Sequence, residues 1–192
     1  GNLRSVAKAI EHLGHEARVT SDPAAVERAE RLLLPGVGAF GDAMEELYRR
    51  RLIEPIKSFA ATGRPFLGIC LGMHLLMDSS EESPGVAGLG LIKGTVRRFQ
   101  TSLKVPHMGW NTVIQTGGEA LWRGIPDNEY FYFVHSFYVE PAADQNGVAA
   151  GWTEYAIRFV SVFSRGNIHA AQFHPEKSQH HGLRMLANFA SI

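Results

Sequence analysis

Phe66-Leu67-Gly68-Ile69-Cys70-Leu71-Gly72-Met73-His74-Leu75-Leu76 reads as a short apolar strand, a G-x-C-x-G turn and the start of a helix. This is the nucleophile-elbow pattern with sulfur in place of a serine oxygen. A nucleophile on a sharp strand-to-helix turn projects into a cleft, and small flanking glycines leave room for strained backbone. The helix N-terminus behind it favours negative charge on the nucleophile. The backbone N–H of Leu71, the next residue, points where an oxyanion would form. A lone cysteine between a strand and a helix also packs well as a small apolar side chain. The paired glycines in a strand–turn–helix setting tip the balance toward a nucleophile.

Working outward, Leu32-Leu33-Leu34 is a buried-strand candidate that ends in Pro35-Gly36-Val37-Gly38. Before it, Leu3, Val6, Ala7, Ile10 and Leu13 fall at helical spacing, with Asn2 able to cap and Gly14 as a stop. Glu16–Thr20 reads as a short strand, and Asp22-Pro23 opens a second helix with Asp at the cap and Pro at the first position. One long amphipathic helix is expected over Asp42–Ala61, bent near Pro55. The second half reads as strands over Leu89–Phe99, Asn111–Gln115, Tyr130–Val139, Ala156–Phe163 and Ile168–Phe173, with Gly182–Ala190 helical. Ser164-Arg165-Gly166-Asn167 reads as the hairpin turn between the last two strands. Alternating strands and helices imply a parallel sheet. The expected architecture is a three-layer α/β/α sandwich on a flavodoxin-like core, its sheet mostly parallel with additional antiparallel strands at one side. The chain begins directly on a helix, so the first strand of such a sheet is expected to be absent from it: either the chain starts late or its sheet is built without that strand.

The 192 residues carry 45% hydrophobic residues, 19 basic and 19 acidic groups, and one cysteine. That size fits one domain over residues 1–192. A balanced charge argues against a dedicated nucleic-acid binder, and Arg49-Arg50-Arg51 reads as a solvated helix face. One cysteine forms no intrachain disulfide, no apolar run has membrane-spanning length, and no signal pattern opens the chain. A cytoplasmic protein without membrane attachment is expected.

Gln172-Phe173-His174-Pro175-Glu176 supplies a second constellation. Two residues apart in an extended segment, His174 and Glu176 lie on the same side, so the carboxylate can orient the imidazole toward a thiol. By itself a His-x-Glu pair is common on surfaces, and its meeting with Cys70 depends on the fold. The glycines of Pro35-Gly36-Val37-Gly38 allow close approach to a ligand, and a backbone N–H of this loop can join Leu71 in an oxyanion hole. Adjacent His180 and His181 suit no metal spacing and read as surface residues. No metal site and no cofactor are expected.

Taken together these segments resemble a triad class I glutamine amidotransferase domain, over nearly the whole chain and in matching order. Within that class the chain most resembles the glutaminase subunits of imidazole glycerol phosphate synthase, from histidine biosynthesis. The narrower likeness rests on Gly1-Asn2-Leu3-Arg4-Ser5, Pro106-His107-Met108-Gly109-Trp110-Asn111, Tyr132-Phe133-Val134-His135-Ser136-Phe137 and Lys177-Ser178. The resemblance implies that Cys70, His174 and Glu176 are catalytic, and that Val37 and Leu71 form the oxyanion hole. It implies that Gly36, Gly38, His74, Ser136 and Phe137 contact glutamine, and that Asn2, Trp110 and Lys177 meet a partner. That partner is a (β/α)₈-barrel cyclase, joined in a heterodimer and fed with ammonia through an internal channel.

Three departures from the resemblance stand out. Relatives carry a first strand with an Asp-Tyr-Gly-like ending ahead of the position of Gly1, so the resemblance leads to the expectation that about ten residues of the native product precede Gly1. His74 replaces a frequent glutamine, and Phe137 a frequent tyrosine. Two competing readings remain: another class I amidotransferase or cysteine hydrolase on this scaffold, and a non-catalytic binding subunit.

Overall fold

The computed structural model describes residues 3–144 and 148–192. Helix α1 (Leu3–His12) buries Val6, Ala9 and Ile10 at three- and four-residue spacing. In α2 (Pro23–Arg28) Pro23 occupies the first turn, and the Asp22 carboxylate accepts a hydrogen bond from the Ala24 N–H. Strand β1 (Leu32–Gly36) follows, then α3 (Phe40–Arg49), α4 (Ile53–Ala61), β2 (Phe66–Cys70) and the short α5 (Leu71–Leu75). The second half holds β3 (Ser79–Ser80), β4 (Gly94–Arg98), β5 (His107–Gln115), α6 (Glu119–Trp122), β6 (Glu129–His135) and β7 (Phe137–Pro141). Strands β8 (Ala149–Tyr155), β9 (Ile157–Arg165) and β10 (Ile168–Ala171) complete the sheet before α7 (Gln179–Ala190).

The main strand order is β1-β2-β10-β9-β7-β4-β3, with β8 pairing β9 and β5 joining both β8 and β6. Strands β1, β2 and β10 run parallel, as do β3 and β4, and the other pairs are antiparallel. Hairpin β9–β10 turns at Gly166-Asn167, where Gly166 takes φ +57°. Helices cover both faces: α2 to α5 pack with Phe66 in one apolar cluster, and α1, α6 and α7 pack with Leu67 and Ile69 in the other. Phe66 and its neighbour Leu67 therefore serve opposite layers, and β2 is buried along its whole length. No helix is long and apolar enough to cross a membrane among the described residues.

Several elements differ from their sequence expectations. Glu16–Thr20 is not a strand: among the described residues none pairs with it in a ladder, and Val19 is 57% exposed. Among the described residues only β2 pairs with β1. The expected long helix is two helices. Arg51, at φ +56°, breaks the chain between α3 and α4, while Pro55 sits in the first turn of α4, where its missing N–H is harmless. Leu89–Phe99 shortens to β4, Asn111–Gln115 lengthens to β5, and Tyr130–Val139 divides at Ser136 into β6 and β7. Strand β8 and helix α6 have no counterpart among the expectations, and α7 begins three residues before Gly182.

Candidate active site

The elbow is built by close packing. Cys70 closes β2 at φ +53°, ψ −110°, a conformation that non-glycine residues avoid. A Cβ added at Gly72 would stand 1.7 Å from the Leu34 carbonyl oxygen, and one at Gly68 would stand 3.0 Å from the Gly72 backbone. Only hydrogen fits at position 72, so this glycine lets α5 press against β1. Across the sheet Gly36 lies in register with Cys70, and a Cβ at Gly36 would stand 3.0 Å from the Leu71 Cβ. Beyond it Val37 is 69% exposed and Gly38 takes φ +94°. Gly36 and Leu71 thus lie beside the Cys70 backbone, and Val37 and Gly38 continue the chain from Gly36.

Three groups surround the Cys70 thiol. The Val134 carbonyl oxygen lies 3.9 Å from Sγ and the Gln172 Nε2 lies 3.9 Å from it. The His174 imidazole is near enough to interact electrostatically with the thiol. On its far side His174 places Nδ1 3.0 Å from Glu176 Oε1. The approach differs from an extended segment: Pro175–Lys177 is a 3₁₀ turn that folds Glu176 back toward the ring. Ser178 secures that turn, its Oγ donating to the His174 carbonyl at 2.7 Å and accepting the Tyr132 N–H at 2.9 Å. The His174 N–H in turn donates to the Tyr132 carbonyl at 2.9 Å.

Electrostatics favours an ion pair here. Burial pulls His174 down, but its bonds to Cys70 and Glu176 outweigh that and raise it above the ordinary imidazole value. Burial pushes Glu176 up, and the facing His174 outweighs it and holds the carboxyl below its usual range. Glu176 Oε2 is buried without a hydrogen-bond partner among the described residues.

The remaining residues fall in three places. His74 is buried, with Nε2 2.7 Å from Gln172 Oε1, and burial lowers it to about 4, partly offset by that bond. As a neutral donor it fixes Gln172, whose amide N–H then faces the thiol. Gln172 belongs among the site residues although the sequence reading gave it no role; its signal was the same parity as His174 along the strand. Ser136 and Phe137 are half-buried between β6 and β7, and the Ser136 carbonyl accepts from the Phe99 N–H at 3.2 Å. Trp110 and Lys177 share a surface centred on Tyr132, with ring centroids 6.0 Å apart for Trp110 and Nζ 5.9 Å from the ring for Lys177. Asn2 lies outside the described residues. His181 is half-buried rather than a plain surface residue, 3.5 Å from Glu129.

The family described as glutamine amidotransferase class-I matches residues 1–192. The chain belongs to the class I glutamine amidotransferases. It is 52% identical to the imidazole glycerol phosphate synthase subunit HisH of Aromatoleum aromaticum, covering 100% of this chain and 93% of that protein. Its identity to the HisH subunit of Moorella thermoacetica is 48%, over 100% and 90% of the two chains. Among solved structures, a crystal structure of a glutamine amidotransferase superposes with a TM-score of 0.78 at 18% identity, covering 100% of this chain and 93% of that one. PurLQS from Thermotoga maritima follows with 0.77 at 16% identity, covering 98% and 91%. These structural likenesses carry the fold, and the amidotransferase membership makes the protein an enzyme of glutamine.

Proposed function

We propose that this amidotransferase is the glutaminase subunit of imidazole glycerol phosphate synthase, working in the cytoplasm in histidine biosynthesis. The observation that carries the reading is His174, held by Glu176 at 3.0 Å and facing the Cys70 thiol at a strained elbow. The HisH relatives supply the pathway. Cys70 attacks the carboxamide carbon of glutamine while His174 takes its proton. His174 then gives a proton to departing ammonia, leaving a γ-glutamyl thioester. Water, deprotonated by the same imidazole, cleaves the thioester to glutamate and restores the thiol. Glu176 holds the ring and stabilises its charged form.

The tetrahedral oxyanion is held by the backbone N–H groups of Val37 and Leu71, whose loop and helix start meet at Gly36. Gly36 and Gly38 let the Val37 peptide turn to the substrate. His135-Ser136-Phe137 lines the amino-acid end of glutamine, and His74 contributes through Gln172. Trp110 and Lys177 belong to the surface that receives a cyclase subunit in a heterodimer. Ammonia passes to that subunit directly, because ammonium has no lone pair with which to attack. The products of the complex are imidazole glycerol phosphate and an aminoimidazole carboxamide ribotide.

Cys70→Ala, assayed in the complex with the cyclase, tests the reading. Glutamine-dependent synthesis is expected to vanish while synthesis from added ammonia persists. Loss of both activities, or retention of both, contradicts it.

A further inference from the structure

Pro106–Asn111 and Tyr132–Phe137, prominent in the sequence yet unused by the triad, meet along β5 and β6, with His107 directly opposite His135. Both histidines are buried, at 4% and 6% exposure. They form a polar chain whose two ends fix its proton positions independently. At one end Asn111 accepts the Thr112 N–H on Oδ1 at 2.8 Å and donates Nδ2 to the Glu154 carbonyl at 2.9 Å. Its amide therefore has one orientation. Nδ2 also lies 3.2 Å from His107 Nε2. An amide nitrogen only donates, so His107 Nε2 is bare and its proton sits on Nδ1.

At the other end His135 Nδ1 lies 2.7 Å from the Phe137 carbonyl oxygen. A carbonyl only accepts, so His135 also carries its proton on Nδ1 and leaves Nε2 bare. The link between them, His107 Nδ1 to His135 Nε2, spans 3.0 Å. One donor faces one acceptor there, so the two assignments agree. A second proton on either ring would set N–H against N–H. The ring of His107 is further held between Tyr155 and Phe133, with centroids 4.1 Å and 5.0 Å away and near-parallel planes. Burial pulls both imidazoles down, His107 to about 4.

The chain ends on the backbone that borders the nucleophile: Val134 reaches the Cys70 thiol, and Phe137 is the residue tied by His135. We propose that His107 and His135 are positioning residues, both neutral and protonated on Nδ1, which hold the 134–137 backbone for glutamine. His107 touches neither the thiol nor the triad and acts through His135. The proposal rests on the reading of 135–137 as the glutamine segment.

The test compares wild type, His107→Phe and His107→Asn, each in the complex with the cyclase. Phenylalanine keeps the aromatic stack and removes the donor; asparagine places an amide donor as many bonds from the backbone as Nδ1. The probe is a glutamine analogue with an electrophile at the carboxamide position, for which the half-saturation constant and the maximal inactivation rate are read separately. Iodoacetamide labelling of Cys70 reports elbow integrity without glutamine recognition. We expect His107→Phe to raise the half-saturation constant about tenfold, the effect of one buried hydrogen bond. The maximal rate and iodoacetamide labelling should stay within about twofold, and asparagine should recover most of the loss. Nitrogen-15 spectra of histidine-labelled wild type should show both rings protonated on Nδ1. An Nε2–H signature on either ring, or an unaltered constant in His107→Phe, overturns the inference. Equal defects in iodoacetamide labelling and analogue binding make His107 merely structural and also overturn it. Wild type that labels with iodoacetamide but ignores the glutamine analogue instead removes the functional reading beneath.

Discussion

His174, paired with Glu176 beside the thiol, and His135, paired with His107 behind the Val134 carbonyl that reaches the thiol, have opposite electrostatics. His174 faces the Glu176 carboxylate, and its affinity for a proton rises despite burial. Burial lowers the affinity of His135 for a proton, the Phe137 carbonyl offsets that only in part, and the His107 imidazole adds to the fall. Both are almost wholly buried, so exposure does not separate them. The partner decides whether burial prevails: a carboxylate outweighs it and makes a ring that can carry charge during reaction, whereas amides and carbonyls do not, leaving a fixed neutral strut. One site thus contains a proton carrier and a support built from the same side chain.

The largest effect should come from the charged pair. His174→Ala, or Glu176→Gln, is expected to lower glutamine turnover in the complex by roughly 10³-fold or more. Steady-state glutamate release measures this, and near-normal turnover in His174→Ala would mean that another ring serves as base, erasing the contrast. A smaller effect tests the elbow that carries the thiol. Gly72→Ala drives a Cβ toward the Leu34 carbonyl and should cost about 3 kcal/mol of stability, read by denaturant unfolding. A neutral outcome would show that α5 can retreat from β1.

The contrast also predicts opposite limbs in the stability–pH profile. His174 is raised in the fold, so its contribution is full below about 6.5, the unfolded value, and is lost as pH rises through its folded value. Glu176 is depressed, so its contribution is present above 4.5 and is lost as pH falls through its folded value. His107 and His135 are depressed bases. They cost stability as pH falls below 6.5, until pH reaches their own folded values, about 4 for His107. Each group changes the slope by at most ~1.4 kcal/mol per pH unit. His107→Asn should therefore flatten the acidic limb, and His174→Ala the limb above neutrality. Identical limbs in the two variants would show that the pairs do not differ in this way.

What was legible in the sequence divides along the same line. The elbow lies in consecutive residues, because glycines and a strand–helix transition leave a local imprint at 68–72. His174 and Glu176 were also readable as a pair, although a 3₁₀ turn rather than an extended strand brings them together. The neutral relay was not readable. His107 and His135 belong to separate strands, and their meeting depends on the β5–β6 register, which neither segment specifies alone. Glu16–Thr20 shows the reverse case: its pattern suits a strand, but strand identity also requires a neighbour. Pro55 marked a bend in the sequence, yet the break falls at Arg51, a residue whose left-handed backbone has no compositional signal.

The most direct test of the central claim, a thiol activated by His174 for glutamine, is intact-mass spectrometry. Wild type in complex with the cyclase is treated with the electrophilic glutamine analogue and compared with Cys70→Ala and His174→Ala. The account predicts a single adduct, absent in Cys70→Ala and much slower in His174→Ala. Folded wild-type protein that stays unmodified, or an adduct that persists in Cys70→Ala, would contradict it.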